Sequence, residues 1–137
     1  MYSIEIRVQF RAGHRLMPPY KGKCNNPHGE GYTAIFIFER ALLDKNGMVL
    51  DFGVVKKFIQ DWIDINYDHS YMHHTDDEVG HFLCSKGFKT WCMLCNPTAE
   101  NIAFELFTTM DEIYPTLEKV GVIESFEDSI AWFQRER

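Results

Sequence analysis

Strand pairs at both ends of the chain, with two amphipathic helices between them, predict an α+β fold: a four-stranded antiparallel sheet carrying both helices on one face. Three observations carry this. Between Tyr2 and Phe10 the even positions are apolar or aromatic and the odd positions polar, the period of a half-buried strand. Around residues 54–63 and 102–113 apolar residues recur every three or four positions, the period of a helix with one buried stripe. Near the end, Glu118 to Ser125 and Ser129 to Gln134 read as two strands about the turn Phe126-Glu127-Asp128.

The first strand keeps His14 on the parity of Ile4, Ile6, Val8 and Phe10 if the extended chain continues. Residues 15–27 contain Pro18, Pro19, Gly22 and Pro27 and form a long loop. A second strand runs from His28 to Phe38 with both faces apolar, Thr33, Ile35 and Ile37 on one and Tyr32, Ala34, Phe36 and Phe38 on the other. Both faces must be covered, which predicts a homo-oligomer. Asp44-Lys45-Asn46-Gly47 is a turn, and Met48-Val49-Leu50 a short extended piece. Asp51 caps a helix ending near Asn66 that presents Val54, Val55, Phe58, Ile59, Trp62 and Ile63. From Tyr67 to Cys95 the periodicity is poor. The second helix opens at Asn96-Pro97-Thr98, with proline in its first turn, and buries Ile102, Ala103, Leu106, Phe107, Met110 and Ile113.

The 137 residues suit one domain, 1–137, with a core of its own. No apolar run reaches the roughly 18–20 residues of a membrane span, and the N-terminus lacks a secretory pattern. A cytoplasmic protein with reduced thiols is expected. A net charge of −6 argues against a nucleic-acid partner. It leaves open an anionic small substrate, and Arg11, Arg15, Lys21 and Lys23 make the segment before His28 basic.

That segment leads into Cys24-Asn25-Asn26-Pro27-His28-Gly29-Glu30. In a strand, His28 and Glu30 point to the same side, as ligands of one metal ion must. His14 supplies a third ligand if the first two strands pair antiparallel, because its end of the first strand then lies beside the start of the second. Two imidazoles and a carboxylate with a position left open is a catalytic zinc donor set. By itself, His-x-Glu is more often just one face of a surface strand.

Six stretches in order carry a family likeness: Phe10-Arg11-Ala12-Gly13-His14-Arg15-Leu16, Cys24 to Gly29, Gly47 to Phe52, Asp68-His69, Asn96 to Asn101 and Val122-Ile123-Glu124-Ser125. Together they resemble the 6-pyruvoyltetrahydropterin synthase / 6-carboxytetrahydropterin synthase family. The resemblance implies the tunnelling fold, in which sheets of several subunits join into a barrel as trimers or hexamers with active sites between subunits. It implies zinc on His14, His28 and the residue at Glu30, a catalytic base at Cys24, an acid/base dyad at Asp68 and His69, and a pterin anchor at Glu124. The spacing of Cys24 and His28 is similar to the 6-carboxytetrahydropterin branch, which converts 7,8-dihydroneopterin triphosphate to 6-carboxytetrahydropterin with release of acetaldehyde and triphosphate, on the way to 7-deazaguanines such as queuosine.

The chain departs from the family where Glu30 replaces the second histidine of His-Gly-His. A carboxylate is a competent zinc ligand, but it weakens the ion as a Lewis acid and opens the site to other divalent metals. That change allows a non-catalytic pterin-binding protein that has lost the metal, and among related enzyme activities 6-pyruvoyltetrahydropterin formation and aldolase-like cleavage of the pterin side chain are the alternatives, which no feature of the sequence separates. Glu127 rivals Glu124 as the anchor, because the interval from Glu124 to Phe133 is one residue longer than the family's. Cys84, Cys92 and Cys95 have no role fixed by the resemblance; Cys92-Met93-Leu94-Cys95 could be a redox pair or second metal site, and a plain insertion is the simpler reading.

Overall fold

The computed structural model describes residues 1–137. Ten elements follow in order: β1 (Tyr2–His14), a single 3-10 turn (Lys23–Asn25), β2 (His28–Arg40), α1 (Phe52–Asn66), β3 (Tyr71–His74), α2 (Glu78–Ser85), β4 (Thr90–Met93), α3 (Ala99–Asp111), β5 (Leu117–Glu124) and β6 (Ala131–Gln134). The class is α+β, but the sheet has six strands in the order β4-β3-β1-β2-β5-β6 and is mixed, since β3 runs parallel to both β1 and β4.

The four-strand, two-helix expectation therefore fails in the stretch from Tyr67 to Cys95, where β3, α2 and β4 are found. β3 is only four residues long, and three of them, Tyr71, Met72 and His73, are buried. A short strand buried on both faces leaves no alternation to read. Met48 to Leu50 forms no strand, although Val49 is buried.

The β1–β2 pairing is antiparallel along its whole length, from Tyr2 with Arg40 to His14 with His28. Even positions of β1 from Ile6 to His14 are buried and odd ones exposed or half-buried. On the even face, Ile6, Val8, Phe10, Tyr32, Phe36 and Phe38 pack with Val55, Ile59 and Ile63 of α1 and Ile102, Leu106 and Met110 of α3 in one contiguous core. Both long helices thus cover one face. Asp51 caps α1 by accepting from the Val54 amide, and Thr98 caps α3 by accepting from Asn101. Pro97 sits before that cap rather than in the first turn. Val54 (65% exposed) and Phe58 (39%) each precede a residue of α1 that packs, Val55 and Ile59, and Ile113 (45%) lies beyond the end of α3.

The outer face of β2 is also covered in part, with Thr33 and Ile35 buried. Ile35 pairs with Gly121, and a side chain there would run into Ile130 and Trp132, whose atoms come within 2.9 Å of a β-carbon built on it. Thr33 and Ile35 are thus covered within the chain, while Ile37 on the same face stays half-buried. No helix is long and apolar enough to cross a membrane.

Candidate metal centre and active site

The end of the β1–β2 ladder places His14 opposite His28 and Ala12 opposite Glu30, so all three candidate ligands lie on the even face. One ligand atom from each of His14, His28 and Glu30 falls within 4.8 Å of the others, the only such cluster of His, Cys, Asp or Glu in the chain. The two Nε2 atoms are 3.0 Å apart, and Glu30 Oε1 is 3.0 Å from His28 Nε2 and 3.9 Å from His14 Nε2.

The other nitrogen of each ring decides what faces inward. His14 Nδ1 lies 2.9 Å from the Pro97 carbonyl oxygen and His28 Nδ1 2.7 Å from that of Asn26. A carbonyl oxygen can only accept, so each ring carries a proton at Nδ1 and directs its Nε2 toward the other ring and the carboxylate. Two imidazole nitrogens at 3.0 Å beside a carboxylate call for a cation between them. The donor set fits a divalent metal, and the Nδ1–H to carbonyl bonds are what a metal-bound histidine needs to fix its tautomer. Burial lowers the His14 pKa, which keeps Nε2 unprotonated and available as a ligand.

Behind His14 lies Tyr32, whose hydroxyl is 3.1 Å from Nδ1 and whose ring stacks on Phe10. Its pKa is raised, chiefly by burial and then by the charges of Glu124, Glu30 and Cys24, so these groups share one neighbourhood. Glu124 is the β5 partner of Tyr32, on the same face, and borders a cavity with Leu16, Ala99, Glu100 and Ile130. Its pKa is raised by burial first, then by the carboxylates of Glu30 and Glu100. The rival Glu127 lies elsewhere. Cys24 sits half-buried in the 3-10 turn, which is tied to the end of β1 by Leu16 N–H to Cys24 O at 2.7 Å and Asn25 Nδ2 to Leu16 O at 3.0 Å.

Asp68 and His69 are placed on the other side. Asp68 accepts from the Arg11 amide (2.9 Å) and from His69 Nδ1 (2.8 Å), while the His69 amide donates to the Arg11 carbonyl (2.6 Å). His69 takes a left-handed backbone, φ 60°, and leaves 77% of its side chain exposed. The dyad opens into a cavity with Gln9, Arg11, Thr33, Ile123, Ser125 and Glu127, the odd face of the sheet. By strand parity the ligands and Glu124 share the even face and the dyad opens on the odd one, while at the end of the ladder His69, Ser125 and Glu30 border a common cavity. Cys84 and Cys92 are exposed and Cys95 half-buried, all free and none grouped with other metal-binding side chains.

Sequence reasoning missed Tyr32, Glu100 and the Pro97 carbonyl. Tyr32 and Glu124 become neighbours only through the β2–β5 register, while Pro97 acts through its backbone, which no side-chain motif reveals.

A family model described as 6-pyruvoyl tetrahydropterin synthase matches residues 3–136. The chain is 42% identical over 119 residues to a 6-carboxy-5,6,7,8-tetrahydropterin synthase from Rickettsia typhi, covering 85% of this chain and 83% of that one. It is 26% identical over 143 residues to the human 6-pyruvoyl tetrahydrobiopterin synthase, covering 95% and 90%. Among solved structures, an uncharacterized Wolinella succinogenes protein matches at a TM-score of 0.85 with 21% identity, covering 98% of both chains. The Caenorhabditis elegans 6-pyruvoyl tetrahydropterin synthase matches at 0.71 with 24% identity, covering 98% and 96%, and both likenesses show a shared fold. A family match along nearly the whole chain, joined by 42% identity to the Rickettsia enzyme, shows that the chain belongs to the 6-pyruvoyl tetrahydropterin synthase family of enzymes.

Proposed function

We propose that this enzyme converts 7,8-dihydroneopterin triphosphate to 6-carboxytetrahydropterin, releasing acetaldehyde and triphosphate, with Zn2+ held by His14, His28 and Glu30. The observation that carries the metal-dependent reading is the pair of imidazole nitrogens 3.0 Å apart with the Glu30 carboxylate beside them. The choice among pterin reactions leans on the 42% identity to a relative named for the 6-carboxy product. When bound, the metal supplies Lewis-acid polarisation of the substrate's side-chain hydroxyls.

The protein's own groups do the rest. Glu124 accepts hydrogen bonds from the amino and ring N–H groups of the pterin, a planar edge that matches a carboxylate. Cys24, as thiolate, takes a proton from the side-chain carbon beside the hydroxyls. Asp68 orients the His69 imidazole and stabilises its protonated form as it moves protons at the hydroxyl oxygens. Because the two cavities that His69 borders include neither Cys24 nor Glu124 of its own chain, we place the dyad in a neighbouring subunit's site, within a trimer or hexamer. The short edge strands β4 and β6 are where such subunits would join.

Mass-spectrometric product analysis after incubation of the zinc-loaded protein with 7,8-dihydroneopterin triphosphate tests the reading. 6-Carboxytetrahydropterin with acetaldehyde is expected. A 6-pyruvoyl product, an aldol-cleaved pterin or no turnover with zinc bound would overturn it.

A further inference from the structure

We propose that Ser125 is a positioning residue of the metal centre: its hydroxyl occupies Oε2 of Glu30, so that the carboxylate presents a single oxygen, Oε1, to the ion. This rests on reading His14, His28 and Glu30 as metal ligands. The two carboxylate oxygens are already differently employed. Oε1 faces the Nε2 atoms of His28 and His14 at 3.0 and 3.9 Å, whereas Oε2 accepts from Ser125 Oγ.

Two backbone features hold Ser125 in place. Its amide donates to the Gly31 carbonyl at 2.7 Å, one step beyond the last β2–β5 pair, Tyr32 with Glu124, which seats it beside Glu30. Its φ of 53° lies in the left-handed region, where glycine is the least strained residue. A serine there carries a conformational cost that a glycine would avoid, and the hydroxyl bond to Glu30 is what the side chain adds.

The consequence falls on coordination. A carboxylate that binds through both oxygens raises the coordination number and suits larger ions. A carboxylate restricted to one oxygen completes, with two imidazoles, the three-ligand zinc site that keeps its fourth position open. Ser125 thus offsets the freedom that Glu30 brings by replacing a histidine. Because Ser125 directly follows Glu124, the metal ligand and the residue proposed to hold the pterin are also joined through one turn.

The test is Zn2+ affinity of the full chain by chelator competition, with Co2+ absorption as a reporter of coordination number, for wild type, Ser125→Gly and Ser125→Asn. Glycine suits the backbone, so Ser125→Gly should melt at the wild-type temperature or higher. It should nevertheless bind Zn2+ about 10–100-fold more weakly, the usual effect of losing a partner of a metal ligand. Its Co2+ bands should fade from the strong absorption of a four-coordinate ion. Asparagine tolerates a positive φ and donates a hydrogen bond, so Ser125→Asn should restore much of both. If Ser125→Gly binds Zn2+ as tightly as wild type with an unchanged Co2+ spectrum, Ser125 has no such role. Failure of the wild type itself to bind Zn2+ would instead overturn the ligand reading on which this rests.

Discussion

The two faces of the β1–β2 ribbon make unlike surfaces from one run of residues. Even positions carry the core and, at the end of the ladder, the pre-arranged set of a buried His14 with a half-buried His28 and Glu30. Odd positions carry Arg7, Gln9 and Arg11 in the open, with His69 standing exposed against them. Strand alternation alone produces this separation, since residues one apart cannot share a side. Ion binding gains from burial and fixed tautomers, whereas a group exposed on the other face is free to serve a site built by another chain.

The largest effect that could break this division is a mixing experiment. Cys24→Ala and His69→Ala should each lower turnover about 10²–10⁴-fold, the range for loss of a general acid or base. If the two faces serve different subunits, variants mixed under exchange conditions should regain activity, because some sites then contain both intact groups. No recovery in demonstrably mixed oligomers would place Cys24 and His69 in a site formed by one chain.

The next effect separates the supports of the two faces. His14 is followed by Arg15, whose Nε and Nη2 both lie 2.8 Å from Oδ1 of the fully buried Asp77. Oδ1 also caps α2 through the Val79 amide, and Oδ2 accepts from the Tyr71 hydroxyl at 2.8 Å. Asp77→Ala strands a poorly solvated guanidinium and should destabilise the protein by about 3 kcal/mol in denaturant unfolding. Zn2+ affinity should fall with it, because Arg15 adjoins a ligand. The local dyad geometry, tied to the Arg11 backbone, should change little.

This clamp also marks where the sequence stops being legible. β1, α1 and α3 can be read because each repeats its period several times, β2 because its long β-branched and aromatic run follows a proline-rich loop, and the ligand trio because antiparallel pairing of the first two strands brings His14 to His28. Asp77 gives no comparable signal: it lies in Thr75-Asp76-Asp77-Glu78, which reads as a plain insertion, yet in the fold it is fully buried against Arg15 and the Tyr71 hydroxyl. The opposite placement of Asp68 and His69 was equally hidden. It depends on where the chain turns after α1, and His69's left-handed backbone sets that turn.

The smallest effect concerns Glu124, and its sign is set by the neighbours on the even face. Burial, Glu30 and Glu100 raise its pKa above that of an ordinary glutamate, outweighing the opposing effects of His28 and the Ala99 amide. Between the unfolded and folded pKa values the folded protein binds more protons, so stability is greatest below the unfolded value and falls as pH rises through the folded one. At neutral pH the ionised Glu124 is therefore a net cost to the fold. In metal-free protein, Glu124→Gln should raise the melting temperature by a few degrees at most at pH 7 and leave it nearly unchanged in acid below the ordinary glutamate range. Pterin binding should weaken, because an amide cannot accept from two N–H donors as a carboxylate does. Zn2+ should shrink the stability gain by neutralising Glu30, whose charge is one cause of the shift. A variant less stable than wild type at pH 7 would show that hydrogen bonds to Glu124 outweigh its burial, and that the even face already accommodates this carboxylate without a ligand.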